Sequence, residues 1–271
     1  MLGAIIGDIV GSRFEFNNIR SKKFDLIGRR SSMTDDSIMT CAVDEALLEE
    51  AEESGIIDSL KKWGKMYPDA GYGRRFLFWV LSDNSAPIYS FGNGAAMRVS
   101  GAGWFANSAD EAAKLAKKVT AVTHNHPYGL KGGEVVALCI YYARLGKSKE
   151  FIKEYVSKHY NLDFNYALLR DSYGFDETCE GSVPQAIYCF LISKNFEDCL
   201  RTTISIGGDC DTTAAISCAI AEAYYKEIDK KIISEVTPLI DAQVFSVLDR
   251  CYLKMAKEGK YTASYYPFNR E

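Results

Sequence analysis

The chain contains 271 residues, of which 47% are hydrophobic and 25% are charged, and these values exclude an intrinsically disordered or fibrous protein. Its 32 Lys and Arg residues stand against 36 Asp and Glu residues, a net charge of −4 without any basic block, which argues against general nucleic-acid binding. No apolar run reaches about 18 residues and no signal-peptide pattern begins the chain, so we expect a cytoplasmic protein outside any membrane. The eight cysteines include no C-x-x-C pair, and we expect buried free thiols.

Helical periodicity dominates the chain, because apolar residues recur at intervals of three and four and no alternation is long enough to build a sheet. The predicted helices cover residues 36–53, 55–66, 73–82, 95–106, 108–122, 129–145, 148–159, 182–193, 195–205, 211–226 and 230–257. No linker divides the chain and no period of about 20–50 residues repeats. We therefore expect an all-α fold, a single compact multi-helix domain over residues 1–271 that acts as a monomer. The small residues of the helix from Asp211 favour a central position for it, and residues 261–268 are interpreted as a packed tail.

Two short acidic motifs each precede a predicted helix. They are Thr34-Asp35-Asp36-Ser37 and Gly207-Gly208-Asp209-Cys210-Asp211-Thr212. Either motif alone is typical of a helix N-cap, since Asp, Ser and Thr side chains satisfy the free amides of a first turn. One acid is enough for a cap, however, and each motif carries two acids with a neighbouring hydroxyl. The extra carboxylates indicate a second purpose.

Convergence of the four carboxylates would require bound cations. Each like-charge pair at about 4 Å would cost on the order of 4 kcal/mol at an effective dielectric constant near 20. The donors are all oxygen atoms, which favours Mg²⁺, Mn²⁺ or Ca²⁺ over zinc or copper. A single Mg²⁺ rarely takes six protein ligands, so we expect a centre with two ions. The six candidate ligands are Thr34, Asp35, Asp36, Asp209, Asp211 and Thr212.

Seven motifs between the N-terminus and about residue 226 resemble, in the same order, those of the ADP-ribosylglycohydrolase family. They are Gly7-Asp8-Ile9-Val10-Gly11-Ser12-Arg13-Phe14-Glu15, Thr34-Asp35-Asp36-Ser37, Gly71-Tyr72-Gly73, Gly92-Asn93-Gly94-Ala95-Ala96-Met97-Arg98, Thr123-His124, Ser182-Val183-Pro184-Gln185-Ala186-Ile187-Tyr188-Cys189-Phe190 and Gly207-Gly208-Asp209-Cys210-Asp211-Thr212. The segments around Gly71, Gly92 and Ser182 look most similar to the serine-ADP-ribosylhydrolase branch of the family.

The resemblance implies a function as well as a fold. It implies an all-α hydrolase with a binuclear Mg²⁺ centre, in which Mn²⁺ can substitute, that releases ADP-ribose from a modified protein side chain such as serine or arginine. The same six oxygen-bearing residues would bind the ions, and Glu15 would be the catalytic carboxylate facing them. Asp35 or Asp209 would share the acid and base roles with Glu15, in an order that the sequence leaves open. The implied ADP-ribose contacts are a phosphate-binding loop at Gly71 and Gly73, together with Ser90, Phe91, Gly92, Asn93 and His124.

Two positions depart from the family pattern, and other interpretations stay open. Cys210 stands where Thr or Ser is usual, and Arg75 stands beside the phosphate loop where some relatives have a small residue. A metal pair formed by His124 and His126 is less favoured than a substrate contact by His124, because that segment has the character of a polar turn before Pro127. The alternative functions are hydrolysis of O-acetyl- or nucleic-acid-linked ADP-ribose, and a catalytically silent ADP-ribose-binding module.

Overall fold

The computed structural model describes residues 1–261, and α-helices dominate this part of the chain. No β-strand occurs within residues 1–261, where one isolated β-bridge joins Gly92 to Thr178. The prediction of an all-α fold is therefore confirmed. In chain order the helices are α1 Leu2–Gly11, α2 Asp35–Leu48, α3 Glu53–Met66, α4 Arg74–Leu81, α5 Gly94–Met97, α6 Ser100–Phe105, α7 Ala109–Ala121, α8 Pro127–Arg144, α9 Lys149–Val156, α10 Tyr166–Ser172, α11 Cys179–Ile192, α12 Phe196–Ser205, α13 Cys210–Tyr225, α14 Lys230–Val236 and α15 Ala242–Lys257, with 3₁₀ turns at Ser12–Phe14 and Thr237–Leu239.

Four predicted helices are shorter or interrupted in the structure, and one of them, predicted for 148–159, ends at Val156. The predicted helix 36–53 ends at Leu48, because Glu50 adopts a left-handed conformation with a φ of 52°. The predicted helix 95–106 is divided into α5 and α6, and the predicted helix 230–257 is divided into α14 and α15. Pro238 accounts for the second division, since proline has no amide hydrogen to continue the α-helical hydrogen bonds, and the chain passes there into the 3₁₀ turn Thr237–Leu239. Asp241 then caps α15 by accepting from the amide of Gln243 at 2.8 Å.

The helix α13 lies at the centre of the fold, as its small residues predict. Its residues from 210 to 223 are all buried, and it packs most extensively against α1, which is buried along its whole length. Three glycines spaced four residues apart on α1 face the backbone of α13. A Cβ atom would lie 2.4 Å from the Cys218 carbonyl oxygen at Gly3, 2.3 Å from the Ala214 carbonyl oxygen at Gly7 and 2.6 Å from the Asp211 Cα at Gly11. Only glycine permits this approach, which sets the end of α1 beside the beginning of α13.

One large cluster of buried hydrophobic residues extends along the chain from Met1 to Tyr261. All eight cysteines are free and buried, as predicted. None of the helices within residues 1–261 is long and apolar enough to cross a membrane. The single domain over residues 1–271 stays a prediction, and the packed tail predicted for 261–268 lies outside the described residues beyond the buried Tyr261.

Candidate active site

Three helix ends meet at one place and bring the two acidic motifs together. The last turn of α1 contributes Asp8, the beginning of α2 contributes the first motif, and the beginning of α13 contributes the second. A direct contact joins the motifs, because the Thr212 hydroxyl donates to Asp36 Oδ2 at 3.0 Å. The convergence expected from the sequence is therefore present, across a separation of about 170 residues.

The carboxylates form two overlapping groups. Oxygen atoms of Asp8, Asp36 and Asp211 lie within 4.8 Å of one another, and so do oxygen atoms of Glu15, Asp209 and Asp211. Asp211 belongs to both groups. Asp36 Oδ1 is buried without a hydrogen-bond partner, so it has an unused lone pair within the first group. These carboxylates fit a hard cation, which would offset their mutual repulsion and complete their coordination.

Burial raises the pKa of every carboxyl group in this cluster, and neighbouring carboxylates raise it further in four of them, Glu15, Asp35, Asp36 and Asp211. Burial raises the pKa of Glu15 to about 7, with a further contribution from the charge of Asp209. The pKa of Asp35 rises to about 8 because of burial and then the charge of Asp8. For Asp36 and Asp211, burial and neighbouring carboxylates raise the pKa well above its ordinary value. Without a cation, the cluster must therefore hold protons at neutral pH.

Asp8 also belongs to this site, although it is not among the site residues predicted from the sequence. Its carboxylate is fully buried and accepts from the Thr34 amide at 2.9 Å, the Thr34 hydroxyl at 2.7 Å and the Ser37 amide at 3.0 Å, as well as from the Ser37 hydroxyl. Because the Thr34 hydroxyl gives its proton to Asp8, its oxygen is left to accept, and it caps α2 by accepting from the Asp36 amide at 3.4 Å. A single acid within an otherwise apolar helix was the available signal for this residue.

The loop that contains most of the predicted substrate contacts lies against the second carboxylate group. Asn93 donates from Nδ2 to Asp209 Oδ2 at 2.7 Å and to Ser182 Oγ at 3.0 Å, so its amide already holds a carboxylate of the site. The Ser90 hydroxyl accepts from the Gly92 amide at 3.1 Å and shapes the turn before it. Phe91 is 44% exposed, and its ring lies 5.3 Å from that of His126 rather than against the carboxylates.

His124 lies beside the same loop. A Cβ atom at Gly94 would be 3.2 Å from His124 Nε2, so the imidazole edge approaches the loop backbone directly. The side chain is buried, and burial together with the charges of Arg98 and Arg75 lowers its pKa well below the ordinary value. A metal pair with His126 finds no support, since His126 instead caps α8 by accepting from the Tyr128 amide.

The predicted phosphate loop adjoins the beginning of α2. Ala70 accepts from the Asp35 amide at 2.8 Å, and Gly71 has a φ of 99°, which only glycine adopts readily. Gly73 precedes α4, is exposed, and has no atom within 4 Å of the position that a Cβ would take. The Arg75 side chain donates to the Ile88 carbonyl, in the loop that follows α4, rather than to the predicted phosphate loop.

The fold and the site together define a class of protein. It is an all-α protein in which carboxylates from three helix ends converge on one site. The model of the ADP-ribosylglycohydrolase family matches residues 1–260, and the chain belongs to this family, as its motifs suggest. The ADP-ribosylhydrolase ARH3 of Homo sapiens is 27% identical over 305 residues, covering 83% of this chain and 84% of that protein. The ADP-ribosyl-[dinitrogen reductase] glycohydrolase of Rhodospirillum rubrum is 24% identical over 279 residues, covering 89% and 92%.

A solved structure described as an ADP-ribosylglycohydrolase-related protein complex has the same fold. It superimposes with a TM-score of 0.71 over 96% of each chain, at 20% sequence identity. Family membership supports an enzyme that hydrolyses ADP-ribose conjugates, which is the general activity expected from the sequence.

Proposed function

We propose that this chain hydrolyses the glycosidic bond between ADP-ribose and a modified protein side chain, such as serine or arginine, with two Mg²⁺ ions that Mn²⁺ can replace. The observation that carries the proposal is the meeting of the two distant motifs, where Thr212 contacts Asp36 and where Asp36, Asp209 and Asp211 lie in the two carboxylate groups with Glu15 beside them. Asp35 belongs to neither group, but the charges of Asp8, Asp209 and Glu15 act on its carboxyl group. The proposed ligands are Thr34, Asp35, Asp36, Asp209, Asp211 and Thr212.

The arrangement of the carboxylates supports two ions rather than one. The two carboxylate groups overlap at Asp211, which would be among the residues that hold both ions. Asp8 accepts the hydroxyl proton of Thr34, which supports Thr34 as a ligand through its oxygen atom. Asn93 fixes the orientation of the Asp209 carboxylate. When bound, the ions would supply Lewis acidity and hold the vicinal diol of the ribose.

Glu15 is the best candidate for moving a proton. It belongs to the second carboxylate group and is only partly buried, so it can reach a water molecule or an acceptor from outside. Without bound ions its pKa rises to about 7, chiefly because of burial, and burial favours a group that can take up a proton. Glycoside hydrolysis needs a second carboxyl group, for which Asp35 and Asp209 are the candidates.

The binding of ADP-ribose is proposed to use the two loops beside the carboxylates. The exposed backbone at Gly71 and Gly73 would approach the diphosphate, since no side chain obstructs it there. The other proposed contacts are Ser90, Phe91, Gly92, Asn93 and His124.

A release assay tests this function. The protein would be incubated with serine-, arginine- and nucleic-acid-linked ADP-ribose in Mg²⁺, in Mn²⁺ and in excess EDTA. We expect release of ADP-ribose from a protein-linked substrate with either ion and none after chelation. Full activity in EDTA would overturn the metal-dependent mechanism. Tight binding of ADP-ribose without release from any conjugate would identify a binding module instead.

A further inference from the structure

A buried chain of polar groups leads from the core to the imidazole of His124. The guanidinium of Arg98 is 1% exposed, and its Nη2 donates to the Thr123 hydroxyl at 2.6 Å and to the Val119 carbonyl at 3.2 Å. The Thr123 hydroxyl in turn lies 2.8 Å from His124 Nδ1. Thr123 is itself fully buried, so water does not compete for these hydrogen bonds.

The direction of this chain follows from the donors available. Arginine can only donate, so the Thr123 oxygen accepts from Arg98 and has its own proton left to give. The nearest acceptor for that proton is His124 Nδ1. Arg98 Nη2 also lies 3.4 Å from Nδ1, so a second donor faces the same nitrogen. A proton on Nδ1 would point at two hydrogen-bond donors, the Thr123 hydroxyl and Arg98 Nη2. An unprotonated Nδ1 can instead accept a hydrogen bond from them.

We propose that Arg98 and Thr123 are positioning residues that hold His124 as the neutral tautomer with its proton on Nε2, and that this N–H donates to an oxygen atom of the bound ligand. Within residues 1–261, no protein group accepts a hydrogen bond from Nε2. That nitrogen faces the loop at Gly92 and Gly94, where a Cβ would lie 3.8 Å and 3.2 Å away.

The chemical consequence is that His124 recognises an acceptor. A hydroxyl lone pair, a ring oxygen or a phosphate oxygen of ADP-ribose satisfies the Nε2 proton, and no positive charge on the imidazole is needed. The ligand's identity rests on the proposed function, whereas the tautomer rests on Arg98 and Thr123 alone.

The first experiment measures the tautomer without any ligand. The chain has three histidines, so a variant with His126→Asn and His159→Gln leaves one imidazole, and Asn keeps a capping side chain at α8. Long-range ¹H–¹⁵N correlation spectra of this protein with ¹⁵N-labelled histidine distinguish a protonated from an unprotonated ring nitrogen. We expect one signal pattern, with the proton on Nε2. A proton on Nδ1, or an equal mixture, would overturn the proposal.

The second experiment compares Thr123→Ser with Thr123→Val. Serine keeps the hydroxyl, so its spectrum and its ADP-ribose affinity should match those of the unsubstituted protein. Valine keeps the shape but removes the donor, so the Nε2 tautomer should lose its dominance and ADP-ribose should bind roughly two- to tenfold more weakly in calorimetry.

The outcomes separate the tautomer from the proposed function. Equal spectra and equal affinity in the valine and serine variants would refute the role of Thr123. If none of these proteins binds ADP-ribose, the proposed ligand is wrong, while the spectra still decide the tautomer. If the valine variant does not fold, the spectrum of the single-histidine protein still determines the tautomer of His124.

Discussion

The side chain of Asn18 bonds to both backbone polar groups of Gly208. Its Oδ1 accepts from the Gly208 amide at 2.8 Å, and its Nδ2 donates to the Gly208 carbonyl at 2.9 Å. The same Nδ2 lies 2.7 Å from the Phe14 carbonyl and 3.1 Å from the Glu15 carbonyl. One amide thus joins the backbone at Glu15 to the residue that precedes Asp209.

Replacement of Asn18 by alanine should therefore slow the reaction more than it weakens binding. Without the amide, Glu15 can shift relative to Asp209, and a displacement of about 1 Å in a reacting group can cost up to about 100-fold. We expect kcat to fall by roughly ten- to a hundredfold, with ADP-ribose affinity changed by less than about threefold. Steady-state kinetics beside the exposed control Asn161→Ala measure this. An unchanged kcat would show that other contacts hold the loop.

Glu15→Gln tests proton transfer. The substitution keeps the volume and an accepting oxygen while it removes the charge and the basic site. A positioned acid or base contributes about 10²- to 10⁴-fold, so kcat should drop on roughly that scale. Glu227→Gln, an exposed position away from the site, is the control. A kcat within about threefold of that of the unsubstituted protein corresponds to less than about 1 kcal/mol. Such a result would indicate that Asp35 or Asp209, rather than Glu15, transfers the proton.

Asp211→Asn should abolish turnover and reduce the stabilisation that metal gives. Asp211 belongs to both carboxylate groups, and an ion that binds only the folded state raises the melting temperature. We expect the shift in Tm on addition of Mg²⁺ to shrink in this variant and to persist in the exposed control Asp58→Asn. If the variant keeps the full shift, Asp211 is only a residue of the first helical turn.

Gly73→Val tests the phosphate loop. The position has ordinary backbone angles, a φ of −54° and a ψ of 137°, and free space around it, so valine should not disturb the fold. It should nevertheless weaken product inhibition by ADP-ribose strongly, because a branched side chain blocks approach to the backbone. Gly174→Val, at another open glycine, is the matched control. Equal inhibition in both variants would remove the loop from the site.

Asp44 predicts a pH dependence of stability that is independent of the metal ligands. Burial raises its pKa from 3.8 to about 7. Its contribution to stability is complete below about pH 4 and is lost as pH rises toward 7, because the unfolded chain then ionises while the folded chain still holds the proton. Between about pH 5 and pH 8, the free energy of unfolding should fall by about 2 kcal/mol more in the unsubstituted protein than in Asp44→Asn. Urea unfolding in EDTA at several pH values measures this difference, with Asp163→Asn as the exposed control. Parallel curves of unfolding free energy against pH for the unsubstituted protein and Asp44→Asn would contradict the prediction.

The sequence predicts those parts of the fold and site that depend on local pattern. Most helices after residue 34 follow from apolar spacing, and the two acidic motifs stand out because one acid suffices for a cap. The helix α1 lacks such a signal, since it is buried on every side and its glycines lower helix propensity. The partners of Asp8 and Asn18 are contacts across the fold, about 30 and 190 residues away, which no local spacing reveals.

The backbone contact between α1 and α13 also has a consequence for biosynthesis. Gly7 of α1 meets Ala214 of α13, so the glycine face of α1 stays uncovered until the ribosome has made α13, about 200 residues later. Contacts this distant in sequence close late and slow folding. A nascent chain that ends before Asp209 also lacks Asp209, Asp211 and Thr212, which are half of the proposed ligands. Ion capture would thus coincide with completion of the fold, and a truncated product would have no stable site.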